Sequence, residues 1–388
     1  MSLSTLPLSY CTNVHPGQTV AEVERGLDEY TVHVRENLAG PLAAGLWLAQ
    51  PVISELLAEA GSVDRFADGL ARRQLDCYTL NAFPYGDFHS SRVKENVYIP
   101  DWSTPERLDY TYNCAVVLAA LMPEGREGSI STVPLGFKQF EYADDFLERA
   151  TGQLIELARR LDNLHDETGK MIRLAIEPEP FCLLETTDEA IAFFGQLYER
   201  AADADAESLV RRHLGLCYDV CHQAVEFENV ANSIVALDEA GIRINKVHIT
   251  CAIELDDPSN NKEGRRMLAN YAEPRYLHQT MAQTVSGEVL REVDLSEEFA
   301  LEPATEFLVA SCWRVHFHVP VDAEQLGPLG TTRSELKLAL AAVASLSYAP
   351  HLEVETYTWE VLPDGQATPL IDGLTGELTA TRSLLDEL

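Results

Sequence analysis

Residues 174–180 read LAIEPEP. The run Leu174-Ala175-Ile176 has the continuous apolar character of a strand covered on both faces, yet it ends on Glu177, with Pro178 fixing the exit. A proline restricts the residue before it to extended backbone, so Glu177 is held in strand geometry at the tip. Three later stretches repeat the pattern. LGLCYD (214–219) ends on Asp219, KVHIT (246–250) carries His248, and LEVE (352–355) carries Glu353 and Glu355. Alternate strand residues face the same way. Ala175 therefore shares a face with Glu177, Gly215 and Cys217 with Asp219, His248 with Thr250, and Glu353 with Glu355.

Working outward, eight apolar runs are the candidate strands: 8–14, 44–49, 76–83, 129–136, 173–179, 214–220, 245–252 and 351–358. Between them lie segments such as DDFLERATGQLIELARRLDNLH and TTDEAIAFFGQLYERAADA, whose apolar residues recur every three to four positions as in amphipathic helices. Eight strand–helix units predict an α/β fold, a (β/α)8 TIM barrel in a single domain spanning 1–388. The competing doubly wound sheet is disfavoured, because no G-x-G-x-x-G turn follows the first strand. One interval breaks the rhythm. From His248 to Glu355 the chain runs far beyond the roughly 30 to 40 residues of one β/α unit. The surplus, residues 253–320, contains TVSGEVLREVDL and WRVHFHVPV. It is predicted to be a β-rich insertion after strand 7, a lid or flap on the face where such barrels build their sites.

Composition narrows the partners. With 62 acidic against 29 basic residues the formal charge is −33, which opposes binding to nucleic acid or to an anionic membrane surface. The start, MSLSTLPLSYCTNV, has neither a basic n-region nor an apolar h-region. No apolar run reaches the roughly 18 residues of a membrane span. The eight cysteines are dispersed, unlike a disulfide scaffold, so a reduced, cytoplasmic protein is expected. The expected partner is a small, oxygen-rich metabolite; the oligomeric state is left open.

Glu177, Asp219, His248 and Glu355 offer three carboxylates and an imidazole. That donor set suits one divalent ion, Mn²⁺, Zn²⁺, Mg²⁺ or Fe²⁺. The plainer alternative for each is an isolated polar residue at a strand end, solvated by loop water. Four in succession on strands 5 to 8 argue against it, since buried unpaired carboxylates are costly without a cation. Glu353 and Glu355 share a face; Glu355 lies nearer the tip and is taken as the ligand, with Glu353 deeper, as a supporting contact or core ion pair. The motifs LAIEPEP, CYDVCHQ, KVHIT and EVETYT resemble those of the xylose isomerase-like TIM barrels, the sugar phosphate isomerase/epimerase superfamily. Within it, EPRYLHQT, LEVETYTW and the long insertion look most like the EboE metabolite-traffic branch. The resemblance implies that Glu177, Asp219, His248 and Glu355 bind one metal. It also implies that Glu177 and Glu355 catalyse proton transfer next to a carbonyl through a metal-bound enediolate of a sugar or sugar phosphate.

Other residues are open to two readings. His222, one turn beyond Asp219, is placed to bind a substrate hydroxyl or simply to start a helix. His15, Gln50, Asn81 and Phe83 follow barrel strands and either line the pocket or satisfy loops. His278 of the insertion is a further candidate for substrate binding; His316 and His318, on one face of a strand, cap the site, add metal ligands, or simply pack and hydrogen-bond. Cys217, Cys221 and Cys251 lie near the strand tips, but their spacing is not a C-x2-C zinc knuckle. Two functions compete with an isomerase. A metal- or metabolite-binding barrel in a traffic pathway would use the same donors without turnover. An endonuclease would need further ligands from strands 2 to 4 and a basic groove, and GLWLAQP and TVPLGF supply neither.

Overall fold

The computed structural model describes residues 3–363 and 368–388. Seven parallel strands come first: β1 (Ser9–Cys11), β2 (Ala43–Trp47), β3 (Thr79–Asn81), β4 (Glu127–Thr132), β5 (Met171–Ile176), β6 (Leu214–Asp219) and β7 (Ile244–Ile249). One residue later the chain leaves the barrel for a second, antiparallel sheet. Its strands are β8 (Cys251–Asp256), β9 (Thr280–Gln283), β10 (Val289–Glu292), β11 (Cys312–Val319), β12 (Gln325–Leu326) and β13 (Leu329–Thr331), in the order β10-β9-β11-β8-β13-β12. β14 (His351–Val354) then pairs with both β7 and β1 and closes an eight-stranded barrel. The fold is therefore the α/β TIM barrel expected from the eight apolar runs, with a β-rich insertion after strand 7.

Helices such as Phe146–Thr168 and Thr187–Asp203 cover the barrel outside, burying Leu154, Leu157, Leu161, Phe194 and Leu197 against the strands. The second helix begins on a capping box, in which Thr186 and Glu189 satisfy each other's backbone amides. No helix among the described residues is long and apolar enough to cross a membrane.

The barrel interior is polar. Thr79 and Ser129 pair at 2.9 Å, Ser129 reaches His351 Nδ1 at 2.8 Å, and the fully buried Lys246 and Glu353 form an ion pair at 2.6 Å. Glu353 fits because β2 offers no side chain at Gly45: a Cβ there would lie 1.5 Å from Glu353 Oε2. The register sets the height of the site. Asp219 pairs with His248 and His248 with Glu353, so these three stand at one level, and Glu355 stands one inward-facing position higher.

Candidate metal centre

At the C-terminal rim the ligand atoms of Glu177, Asp219, His248 and Glu355 lie within 4.8 Å of one another. His248 Nδ1 is the hub, 2.9 Å from Glu177 Oε1, 3.1 Å from Glu355 Oε2 and 3.5 Å from Asp219 Oδ2. All four residues are buried, none more than 5% exposed.

Each donor is aimed by local structure. Asp219 caps the short helix Val220–Val225: its Oδ1 accepts from the His222 amide at 3.1 Å and from Thr250 Oγ1 at 2.7 Å. Oδ2 is left without a hydrogen-bond partner, as is Glu177 Oε2. Glu355 Oε1 accepts from Asn13 at 2.9 Å and from Asn81 at 2.8 Å. On the far side of the imidazole, His248 Nε2 lies 3.3 Å from Glu353 Oε1. A carboxylate placed behind the ring is the kind of support that metal-binding histidines receive. The strand-8 ambiguity thus separates: Glu353 pairs with Lys246 beneath the ring, and Glu355 stands among the rim donors.

The electrostatics of the protein groups alone point the same way. Burial pushes Glu177 up to about 7, opposed by His248. Burial also opposes charge on Glu355, but His248 and His318 hold it down at about 2. Asp219 is lowered against its burial by His222, His318 and His248. His248 is raised against its burial by Cys217, Glu177 and Glu355. His248 thus faces three acids, two of which have a free oxygen. Orphaned buried carboxylate oxygens around a common point fit a divalent ion in donor type and number.

The other expected residues divide. His222, Asn81 and Phe83 line a cavity above the donors, together with Asn13, Glu179, His316, His318 and Tyr357. The structure takes His15 elsewhere. It sits in a separate small pocket, where Tyr10 holds its Nε2 at 2.9 Å and its ring stacks on Tyr30 at 4.5 Å. His278 is also diverted, because Nδ1 donates to the His316 carbonyl and Nε2 meets Glu273 at 2.9 Å. The Gln50 side chain bonds Ser54 on the helix surface. Burial pushes the Cys217 thiol up to about 12 and raises Cys221 and Cys251 too, so these are small neutral core groups. Asn13 escaped the sequence reading, since CTNV continues an apolar run. Gln279, which bonds both Tyr98 and His316, gives no sequence signal at all.

No family model matches the sequence, and no curated protein does. Solved structures do resemble it. A xylose isomerase-like TIM barrel protein from Mycobacterium smegmatis, in complex with magnesium, superposes with a TM-score of 0.54 at 12% identity, over 100% of this chain and 99% of that one. An L-ribulose 3-epimerase gives 0.52 at 13% identity over 98% of this chain and 94% of that one. An IolI protein with a bound zinc atom gives 0.50 at 11% identity over 98% and 99%. At such identities the shared property is the fold.

Proposed function

We propose that the chain is a divalent-metal-dependent isomerase or epimerase of the xylose isomerase-like class, moving a proton beside the carbonyl of a sugar or polyol-like substrate. The observation that carries this reading is the convergence of Glu177, Asp219, His248 and Glu355, with unpartnered oxygens on Glu177 and Asp219, beside a pocket that Glu177 and Glu355 help to line. Support comes from the structural neighbours, whose names include two sugar 3-epimerase types and proteins holding zinc or magnesium.

A divalent ion held by these four residues would supply Lewis acidity toward the substrate's carbonyl. The protein's own part follows from its carboxylates. In this reading Glu355 accepts the proton leaving carbon, and Glu177 returns one to carbon from its own side. Asn13 and Asn81 fix Glu355 Oε1. Phe83, Phe88, Tyr98, Tyr276 and Tyr357 wall the cavity against water.

The lining favours an unphosphorylated substrate. Its one lysine, Lys94, is already spent on the carbonyls of Glu273 and Tyr276 and on Asp294 at 2.7 Å. Three carboxylates, Glu177, Glu179 and Glu355, face the same space. The second sheet, which sends His316 and His318 over the pocket, is proposed to act as its lid. The EboE-like assignment rests on the sequence motifs.

Incubation of the Mn²⁺-loaded protein with a panel of free ketoses and polyol-derived ketones in D2O tests the reading. Metal-dependent deuterium uptake at a carbon beside a carbonyl is expected, falling at least 100-fold in Glu177→Gln and Glu355→Gln. Ligand binding with no exchange in the wild type would mean a binding barrel instead.

A further inference from the structure

The cavity over the rim donors has two unlike sides. Glu177, Glu355, Asn13, Asn81 and His222 supply a polar side, whereas Phe83, Phe88, Val93, Val97, Tyr276 and Leu277 supply carbon. Tyr357 joins the two: its ring lies 4.8 Å from that of His318 and packs on Phe88 and Tyr276. The apolar residues come from outside the barrel strands, four from the loop after β3 and two from the segment that leads into β9.

That apolar side is built in advance. The Val93 and Lys94 amides both donate to the Arg275 carbonyl at 2.8 Å, which fastens the two segments to each other. Ring centroids of Phe88 and Tyr276 are 4.9 Å apart, those of Phe88 and Tyr357 5.4 Å, and those of Tyr276 and Tyr357 4.9 Å. Tyr357 meets the other two rings edge to face, at 64° and 78°. The trio therefore forms a corner, not one flat platform on which a sugar ring could lie. The polar tips beside it are engaged elsewhere. Tyr276 donates its hydroxyl to the Phe88 carbonyl at 3.1 Å, Tyr98 donates to Glu179 at 2.7 Å, and Lys94 is held by Asp294 at 2.7 Å.

A free sugar carries a hydroxyl on nearly every carbon beyond its carbonyl. Hydroxyls pressed into this corner would lose water without gaining partners, and such burial is unfavourable. An aromatic ring there would bury apolar surface and meet edges and faces in the arrangement that rings prefer. We propose that the substrate carries an aryl group remote from its reacting carbonyl, with the oxygen-rich head on the rim donors and the aryl ring in the corner of Phe88, Tyr276 and Tyr357. The inference rests on the isomerase reading and narrows its substrate class to aryl-bearing polyhydroxy ketones or aldehydes.

Binding and turnover test it separately. D-fructose, its 6-O-benzyl ether and its 6-O-cyclohexylmethyl ether are titrated calorimetrically into the full-length Mn²⁺-loaded protein, and each is then followed for deuterium uptake in D2O. The benzyl ether is expected to bind about 10–100-fold more tightly than fructose. The cyclohexylmethyl ether, of similar size but without a π face, is expected to gain about 2–10-fold less. Phe88→Ala is expected to shrink the ratio of benzyl ether to fructose affinity at least five-fold; Val97→Asn serves in its place should that variant fail to fold. Equal affinity for fructose and its benzyl ether, or no binding of either, would overturn the aryl site. An equal gain for both ethers would overturn its aromatic selectivity. Deuterium uptake into fructose and the benzyl ether with the same kcat/KM would overturn the aryl site while leaving the isomerase. Tight binding of the benzyl ether without uptake into any of the three would keep the aryl site and count against the isomerase.

Discussion

Lys246 and Glu353 show how much of the site is built one layer below it. Both are fully buried, paired at 2.6 Å, and Glu353 also backs His248. Lys246→Met would leave Glu353 with only Ser9 and His248 beside it, without its lysine in the core, a change that costs about 3–5 kcal/mol. It would also remove the lysine that holds Glu353 behind His248, and loss of such outer support typically weakens metal binding about 10–100-fold. Denaturant unfolding of the metal-free protein and a zinc competition titration read the two effects. Adding Glu353→Gln is expected to restore most of the stability but not the affinity. At this scale the sequence was readable where period-two alternation aligned donors on one face, as for Glu177, Asp219 and His248. Alternation could not separate Glu353 from Glu355, because they have the same parity. The separation lies in register, which puts Glu353 level with His248. Nor could alternation find Asn13, which reaches Glu355 from a turn at the other end of the chain.

At the scale of elements, all eight barrel strands stood out as apolar runs, since parallel strands buried on both faces must be apolar. The second sheet was only half visible. β10 and β11 lie in stretches marked by their alternation, but β8 reads as a continuation of β7, from which one residue separates it. The strands of that sheet extend from Cys251 to Thr331, against the 253–320 expected for the insertion. It is tied back onto the barrel loops by Arg291 of β10, whose guanidinium meets both carboxylate oxygens of Glu226 at 3.0 Å and also contacts Glu185. Arg291 is one-third exposed, so solvent screening keeps its contribution low, about 1 kcal/mol. Arg291→Ala is expected to speed amide hydrogen exchange in β9 and β10 about five-fold and leave the barrel strands unchanged. Equal acceleration throughout would mean that the sheet does not open separately.

For the whole molecule, the closing helix Leu370–Asp386 carries a buried carboxyl into the core. Glu377 accepts from Thr356 Oγ1 at 2.5 Å, the Val321 amide at 3.2 Å and the Trp359 indole at 2.9 Å. Burial nevertheless pushes it up to about 7 from an ordinary 4.5. The sign follows from linkage. Between pH 4.5 and 7 the folded chain keeps this proton and the unfolded chain loses it, so stability falls as pH rises through that window and levels off above it. Glu377→Gln removes this slope. Its stability relative to wild type, from denaturant midpoints, is expected to rise on the order of 3 kcal/mol from pH 4.5 to 7. A constant difference would place an ionised Glu377 in the fold.

The rim donors are tested most directly by a crystal of the Mn²⁺-loaded protein and an anomalous difference map. The expected result is a peak about 2.0–2.2 Å from Glu177, Asp219, His248 and Glu355. Density there without anomalous signal, with only water on Glu177 Oε2 and Asp219 Oδ2, would contradict the metal centre and the proton chemistry built on it.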